Sequence, residues 1–292
     1  MLDMFFGIFL NGGRKTTVII DVYSHYAFYY ALFCSLFCQL MSIKYVSILR
    51  GGNLPIRLRT NPYLSKIIFS RSVVNISPSI YLKKECNKYG FKSKCIPNII
   101  ILKDYPFQLR RNCRPKLLWV RAIHKSYNPR MAIKVLSELI KTYPNATLFM
   151  VGPDKDGSYN ECVRLAKELG VENSIRFPGS LKKNDWINLS KKCDIFINTT
   201  NYDNMPVSVV EAMALGLPVV STNAGGLKYL HHNGEDALLV SRNDNNAMVE
   251  KIKLLIDDSN FASKLSLNAR KKSEGFCWEK VRLDWLRLLS LP

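Results

Sequence analysis

Residues 198–220 read Asn-Thr-Thr-Asn-Tyr-Asp203-Asn204-Met205-Pro206-Val207-Ser208-Val-Val-Glu211-Ala-Met-Ala-Leu-Gly216-Leu-Pro218-Val-Val, an amphipathic helical stretch bracketed by two strand-like runs. Pro206 opens the helix, because proline in a first helical turn forfeits no useful donor. The N–H groups of Val207 and Ser208 then lack helical acceptors and point, with the positive end of the helix dipole, at any anion in front of them. A diphosphate fits there. Asp203 lies just outside the helix, Asn204 and Met205 join the two, and Glu211 sits about one turn inside. Carboxylates so placed can accept hydrogen bonds from sugar hydroxyls while the N–H groups take the phosphates, which suits a nucleotide sugar. Taken singly, Asp203 reads as a helix cap and Glu211 as a solvated helix residue. Their combination carries the chemistry.

Such a loop needs strands that end side by side, and the surrounding pattern supplies them. Short apolar or β-branched runs alternate with longer helix-period segments, the mark of parallel strands joined by crossover helices. Runs 117–120, 147–151, 175–177, 195–198 and 218–221 read as strands, and 129–143, 159–169, 185–191 and 207–215 as helices. This is a doubly wound sheet, whose ligands bind beyond the carboxyl ends of its strands. Earlier in the chain, strand 17–20, helix 27–41 and strand 45–49 form a β-α-β unit ended by Gly51-Gly52. A strand at 72–76 follows, then a basic helix entered at Ser77-Pro78 and closed by Tyr89-Gly90. Pro106, Pro115 and the arginines between Lys103 and Lys116, with no apolar period, predict a linker over 108–116 between a domain over 1–107 and one over 117–275, leaving 276–292 as a closing segment.

The 292 residues are 47% hydrophobic and 22% charged, a globular composition with room for two domains. Net charge is +19, and it is uneven: the first 114 residues hold 17 basic and 4 acidic side chains, the remainder 25 and 19. Anionic partners follow from that field, whether nucleic acid, a phosphorylated lipid or an anionic membrane surface. No nucleic-acid recognition motif accompanies it, so nucleic acid is not expected as a partner. The eight cysteines show no Cys-x2-Cys pair and no zinc-like spacing with histidine, and read as reduced cytosolic thiols. Residues 1–10 do not fit a secretory leader. Helix 27–41 is apolar but shorter than the ~20 residues that span a bilayer, so it reads as a buried or membrane-surface helix.

The 198–220 stretch resembles glycosyltransferase family 4, whose GT-B fold pairs two Rossmann-like domains across a cleft. The family has two acidic residues eight positions apart, the second of which begins Glu-Ala-Met-Ala-x-Gly-x-Pro-Val-Val, and then a Gly-Gly loop; here these are Asp203 in place of Glu, Asn204 in place of Gly, Glu211, and Ala224-Gly225-Gly226. The resemblance assigns Glu211 to the nucleotide ribose and Asp203 to donor-sugar hydroxyls. Leu118-Trp119-Val120-Arg121 resembles the strand whose Arg meets the donor diphosphate, which makes Arg121 the main cationic candidate. Tyr127-Asn128 stand where a Lys-Gly is usual, and Lys125 is the lysine that can substitute. The likeness runs through Val151-Gly152-Pro153 and Phe177-Pro-Gly179 to Phe276-Cys-Trp278, covering about 72–292. It also implies that 276–292 crosses back to the first domain, with Trp278 and Trp285 in structural roles.

Several other signals carry less. Asp154-Lys155-Asp156 has the spacing of a metal-binding Asp-x-Asp but sits in a Gly-rich turn, and the family transfers without metal; no metal or cofactor is expected. His124, His231 and His232 lack ligand partners and read as surface residues. Gly12-Gly13-Arg14-Lys15 lacks phosphate-loop spacing and reads as a turn. Residues 1–107 look like the middle and end of the family's first domain, with its first strands missing. Arg50 stands where members carry an acceptor-side His before Gly51-Gly52, leaving His25 as the candidate there. The expectation is therefore a retaining, metal-independent hexosyl- or related glycosyltransferase moving a sugar from a nucleotide diphosphate sugar to a saccharide or lipid-linked acceptor. Its place would be the cytoplasm, docked peripherally on the inner face of the membrane. The alternative is a donor-binding remnant without transfer activity.

Overall fold

A computed structural model describes residues 2–13 and 16–289; Arg14 and Lys15 of the glycine-rich turn, and the last three residues of the closing segment, lie outside them. The chain forms two compact units, one running to Asn98 and including Asp203–Met205, the other containing Ile99–Tyr202 and everything from Pro206. The division falls before 108–116, so the expected linker belongs inside the second unit. Arg110 explains why that segment has no apolar period. It is buried, and its guanidinium donates to the carbonyls of Gln108 (2.6 Å), Ser190 (3.1 Å) and Cys193 (3.3 Å). Polar groups hold it in place instead of apolar ones.

The first unit contains α1 (Leu2–Asn11), β1 (Thr17–Val22), α2 (Ala27–Leu40), β2 (Lys44–Leu49), α3 (Leu54–Thr60), α4 (Pro62–Phe69), β3 (Asn75–Ser77), α5 (Ile80–Lys88) and β4 (Ser93–Cys95). Its strands pair in parallel in the order β1-β2-β3-β4. Helices α1, α3 and α4 and strand β4 are short, at ten, seven, eight and three residues, and sequence reasoning passes over them. Helix α2 buries Phe28, Ala31, Leu32 and Cys38 against β1 and β2 while its other face stays open. Ser79 caps α5, its hydroxyl accepting from the Leu82 N–H at 3.2 Å.

The second unit contains β5 (Lys116–Val120), α6 (Pro129–Ile140), β6 (Thr147–Val151), α7 (Ser158–Glu168), β7 (Ile175–Gly179), α8 (Lys183–Ser190), β8 (Ile195–Asn198), α9 (Val207–Ala214), β9 (Val219–Thr222), α10 (Leu227–Leu230), β10 (Leu238–Val240), α11 (Asn245–Asp257), α12 (Ser259–Ser273) and α13 (Trp278–Leu289). Six parallel strands lie in the order β10-β9-β8-β5-β6-β7. The chain thus winds outward one way from β5 and the other way from its neighbour β8. Leu117, Trp119, Leu148, Ile195 and Val220 form the core with Val135, Leu136, Leu139 and Ile252 from the covering helices. This α/β architecture with parallel sheets is the expected fold class. In the closing helix α13, Val281 and Leu288 are the buried positions, whereas Trp278 is exposed and Trp285 half-buried.

Candidate functional site

In an open parallel sheet, the point where the winding reverses leaves two neighbouring loops diverging at the strands' carboxyl ends, and the gap between them is where ligands bind. Here those strands are β5 and β8, paired through Leu117–Ile195 and Leu118–Phe196. The loops after them carry Arg121 and Pro206. They are stitched together: Trp119 Nε1 donates to Thr199 Oγ1 at 3.0 Å, and that hydroxyl lies 2.9 Å from the carbonyls of both Tyr127 and Asn128. The Asn201 N–H donates to the Ser126 carbonyl at 2.9 Å. From the next strand Thr222 Oγ1 reaches the Thr200 carbonyl at 2.6 Å. The strand ends therefore form one hydrogen-bonded rim.

Arg121 follows β5 directly, and its guanidinium lies 4.2 Å over the ring of Tyr127. Gly152 makes room for the turn. Its φ is +148°, and a Cβ there would stand 1.8 Å from the Arg121 carbonyl oxygen. Asn128 has φ +49°, a left-handed conformation that asparagine adopts more easily than most residues. Asparagine can thus fill the position at which the resemblance expects glycine. Tyr127, in the lysine position, instead supplies a ring for Arg121. Lys125 is exposed, and its ammonium lies 3.7 Å from Glu161.

Helix α9 starts at Val207, with Pro206 as its N-cap in extended conformation (ψ 116°) instead of as its first helical residue. Proline has no side-chain oxygen with which to cap, so the first N–H groups stay open to a ligand. Ser208 adds a second signal, because its hydroxyl is buried without a hydrogen-bond partner. Leaving such a group unsatisfied costs about 1–3 kcal/mol, which a ligand oxygen would recover. Glu211 is partly exposed, and its Oε1 accepts from the hydroxyl of Tyr105. Burial pushes its carboxyl above the usual range, opposed by the Tyr105 hydrogen bond and the charge of Lys183. Sequence reasoning missed Tyr105; a tyrosine between Asp104 and Pro106 gives no spacing signal toward a helix about a hundred residues later.

Arg121, Lys125, Pro206, Val207, Ser208 and Glu211 all belong to the second unit. Asp203, Asn204 and Met205 do not, since they pack with the first. There Asn204 Oδ1 accepts from Ser79 Oγ, the Asn204 amide donates to the Leu49 carbonyl at 3.5 Å, and Asn98 donates to the Met205 carbonyl at 3.1 Å. His25 is exposed in the turn between β1 and α2. Arg50 binds Asp21 at 2.9 Å and Asn98 at 2.8 Å.

Of the discounted residues, His231 departs from expectation. His231 is buried and not superficial: its Nδ1 is 2.9 Å from Asp236 Oδ1, and Lys272 reaches Asp236 Oδ2 at 2.7 Å. Asp154 and Asp156 organise their turn, accepting from the N–H groups of Gly157 (3.0 Å) and Lys125 (3.0 Å) respectively. Among the described residues no group of three His, Cys, Asp or Glu side chains could hold a metal ion.

The family model for glycosyl transferases group 1 matches residues 103–272. An uncharacterized glycosyltransferase of Haemophilus influenzae is 32% identical over 159 residues, covering 54% of this chain and 44% of that protein. The D-inositol 3-phosphate glycosyltransferase of Corynebacterium urealyticum is 24% identical over 180 residues, 60% of this chain and 42% of that one. The chain thus spans less than half the length of these relatives. Among solved structures, Anabaena HepE in complex with UDP has a TM-score of 0.79 at 19% identity, covering 93% of this chain and 78% of that one. That likeness is one of fold, and the fold is GT-B-like.

Proposed function

Because the chain belongs to the glycosyl transferases group 1 family, we propose that it is a retaining, metal-independent hexosyl- or related glycosyltransferase that moves a sugar from a nucleotide diphosphate sugar to a saccharide or lipid-linked acceptor. The observation that carries this reading is the uncapped N-terminus of α9, with the buried Ser208 hydroxyl in its first turn and Glu211 one turn further in, across the β5–β8 switch point from Arg121. In this reading the Val207 and Ser208 N–H groups and Arg121 take the diphosphate, Glu211 takes the ribose, and Lys125 belongs to the donor-sugar surroundings. The bond from the sugar's anomeric carbon to the phosphate oxygen breaks while the acceptor oxygen bonds to that carbon on the same face. The acceptor proton passes to the leaving phosphate. Fixed N–H dipoles and a guanidinium stabilise the charge developing on the diphosphate, the most effective place to put them.

Donor hydrolysis and transfer should be measured on Glu211→Ala and Arg121→Ala. Near-normal turnover in both sinks the assignment, and nucleotide binding without transfer to any acceptor supports the donor-binding remnant instead.

A peripheral site on an anionic membrane accompanies this reading. No helix among the described residues is long and apolar enough to cross a membrane. Helix α2, however, turns Tyr29, Tyr30, Phe33, Leu36 and Leu40 outward, the last 80% exposed, in a unit rich in Lys and Arg. Their i, i+3, i+4 and i+7 spacing makes one apolar stripe suited to the headgroup boundary. Flotation with anionic and neutral liposomes at low and high salt tests it; indifference to anionic liposomes at low salt favours a soluble acceptor.

A further inference from the structure

The carboxylate of Glu211 is held by a hydroxyl that is itself held in place. Tyr105 is buried, 2% exposed, and donates to Glu211 Oε1. One guanidinium fixes both partners: Arg270 Nη1 donates to the Tyr105 carbonyl at 3.0 Å and to the Ala214 carbonyl, at the end of the Glu211 helix, at 2.7 Å. The Tyr105 ring packs near Trp186, 6.5 Å between centroids, with Lys183 Nζ 4.6 Å from its centre. Gly216 (φ +81°) admits the segment just after Tyr105, because a Cβ there would stand 2.4 Å from the Gln108 carbonyl.

An ionised carboxylate only accepts hydrogen bonds, and a glutamate with free rotamers presents its oxygens in many directions. Tyr105 removes that freedom by engaging one oxygen, leaving the other for a ligand hydroxyl. Neither the rotamer nor the direction of the remaining oxygen must then be ordered when a ligand arrives, which is where preorganised sites gain affinity.

We propose that Tyr105 is a positioning residue that aims the Glu211 carboxylate at a ribose hydroxyl, and that this pair makes the site select ribonucleotides over deoxyribonucleotides. The inference rests on the reading above that Glu211 meets the donor ribose. Tyr105 itself does not touch the nucleotide. Its effect on binding passes through Glu211, so it acts only where a ribose hydroxyl is present.

The test is calorimetric titration of the intact chain, Tyr105→Phe and Glu211→Gln with UDP, GDP and ADP and with their 2′- and 3′-deoxy forms. Phenylalanine keeps the ring and its packing, and thermal melting of each variant checks the fold. The wild type is expected to favour a ribonucleotide over at least one deoxy form by about tenfold or more, the scale of a hydrogen bond to a charged group. Tyr105→Phe should weaken the ribonucleotide about fivefold, leave that deoxy form unchanged, and so shrink the ratio. Equal weakening of both forms, or an unchanged ratio, overturns the role of Tyr105 while leaving the donor site intact. A wild type that binds ribo and deoxy forms alike overturns the Glu211–ribose contact and this inference with it, whereas one that binds none of the nucleotides overturns the donor reading as well.

Discussion

The guanidinium of Arg121 stacks on the ring of Tyr127, 4.2 Å from its centre, where the family resemblance expects a lysine. The ring packs against that cation and helps to set its direction, in exchange for a second positive charge. Removing the ring should therefore weaken diphosphate binding without removing any charge. Tyr127→Ala is expected to raise the Kd for a nucleoside diphosphate about three- to tenfold, with Tyr127→Phe near wild type. Calorimetry measures both, and equal affinities for the two variants refute the stacking role.

Gly152 controls the same arginine through the backbone. A methyl group 1.8 Å from the Arg121 carbonyl oxygen, at φ +148°, overlaps it outright, so Gly152→Ala must move one of the two strand ends. The expected cost is about 2–3 kcal/mol, from overpacking together with backbone strain. Denaturant unfolding reads the stability and nucleotide titration the site; a variant with wild-type values in both removes the close approach as a constraint.

Glu211 should show function obtained at the expense of stability. Burial raises its carboxyl above the unfolded value, while the Tyr105 hydrogen bond and Lys183 only partly oppose that rise. A carboxyl with a raised folded pKa contributes most to stability below its unfolded pKa and loses that contribution as pH rises through the folded value. Glu211→Gln should thus melt about 2 °C above wild type near pH 8, converge with it near pH 4, and bind nucleotide more weakly. Melting curves at the two pH values decide it, and a wild type more stable than the variant at pH 8 contradicts it.

The buried His231 and Asp236 pair predicts an acid limb. Burial holds the His231 imidazole below its ordinary value despite the Asp236 hydrogen bond. Burial would raise Asp236, but His231 and Lys272 outweigh it and hold that carboxyl low. As pH falls from about 6.5, the unfolded chain takes up a proton at His231 that the folded chain refuses, so stability declines. Loss from Asp236 begins only further down, through its own depressed value. His231→Gln should flatten the decline between pH 7 and 5, as followed by urea unfolding. An equal slope in variant and wild type assigns the limb to other groups.

Residues 198–220 show how much the sequence determined. The helix beginning next to Pro206, the strands on either side and the place of Glu211 in that helix all follow from local propensity and apolar period, which depend on near neighbours. So does the doubly wound order of most of the second unit. The tertiary structure decided what depends on distant partners. Tyr105 meets Glu211 through the packing of a segment without period, and Lys272 comes from α12 to the Asp236 carboxylate beside the buried His231. Arg110 turns an expected linker into part of the second unit's interior, and Asp203–Met205 packs with the first unit although its neighbours on both sides belong to the second. Local pattern reports which face of an element is apolar. Hydrogen bonds between residues far apart in the chain leave no period behind them.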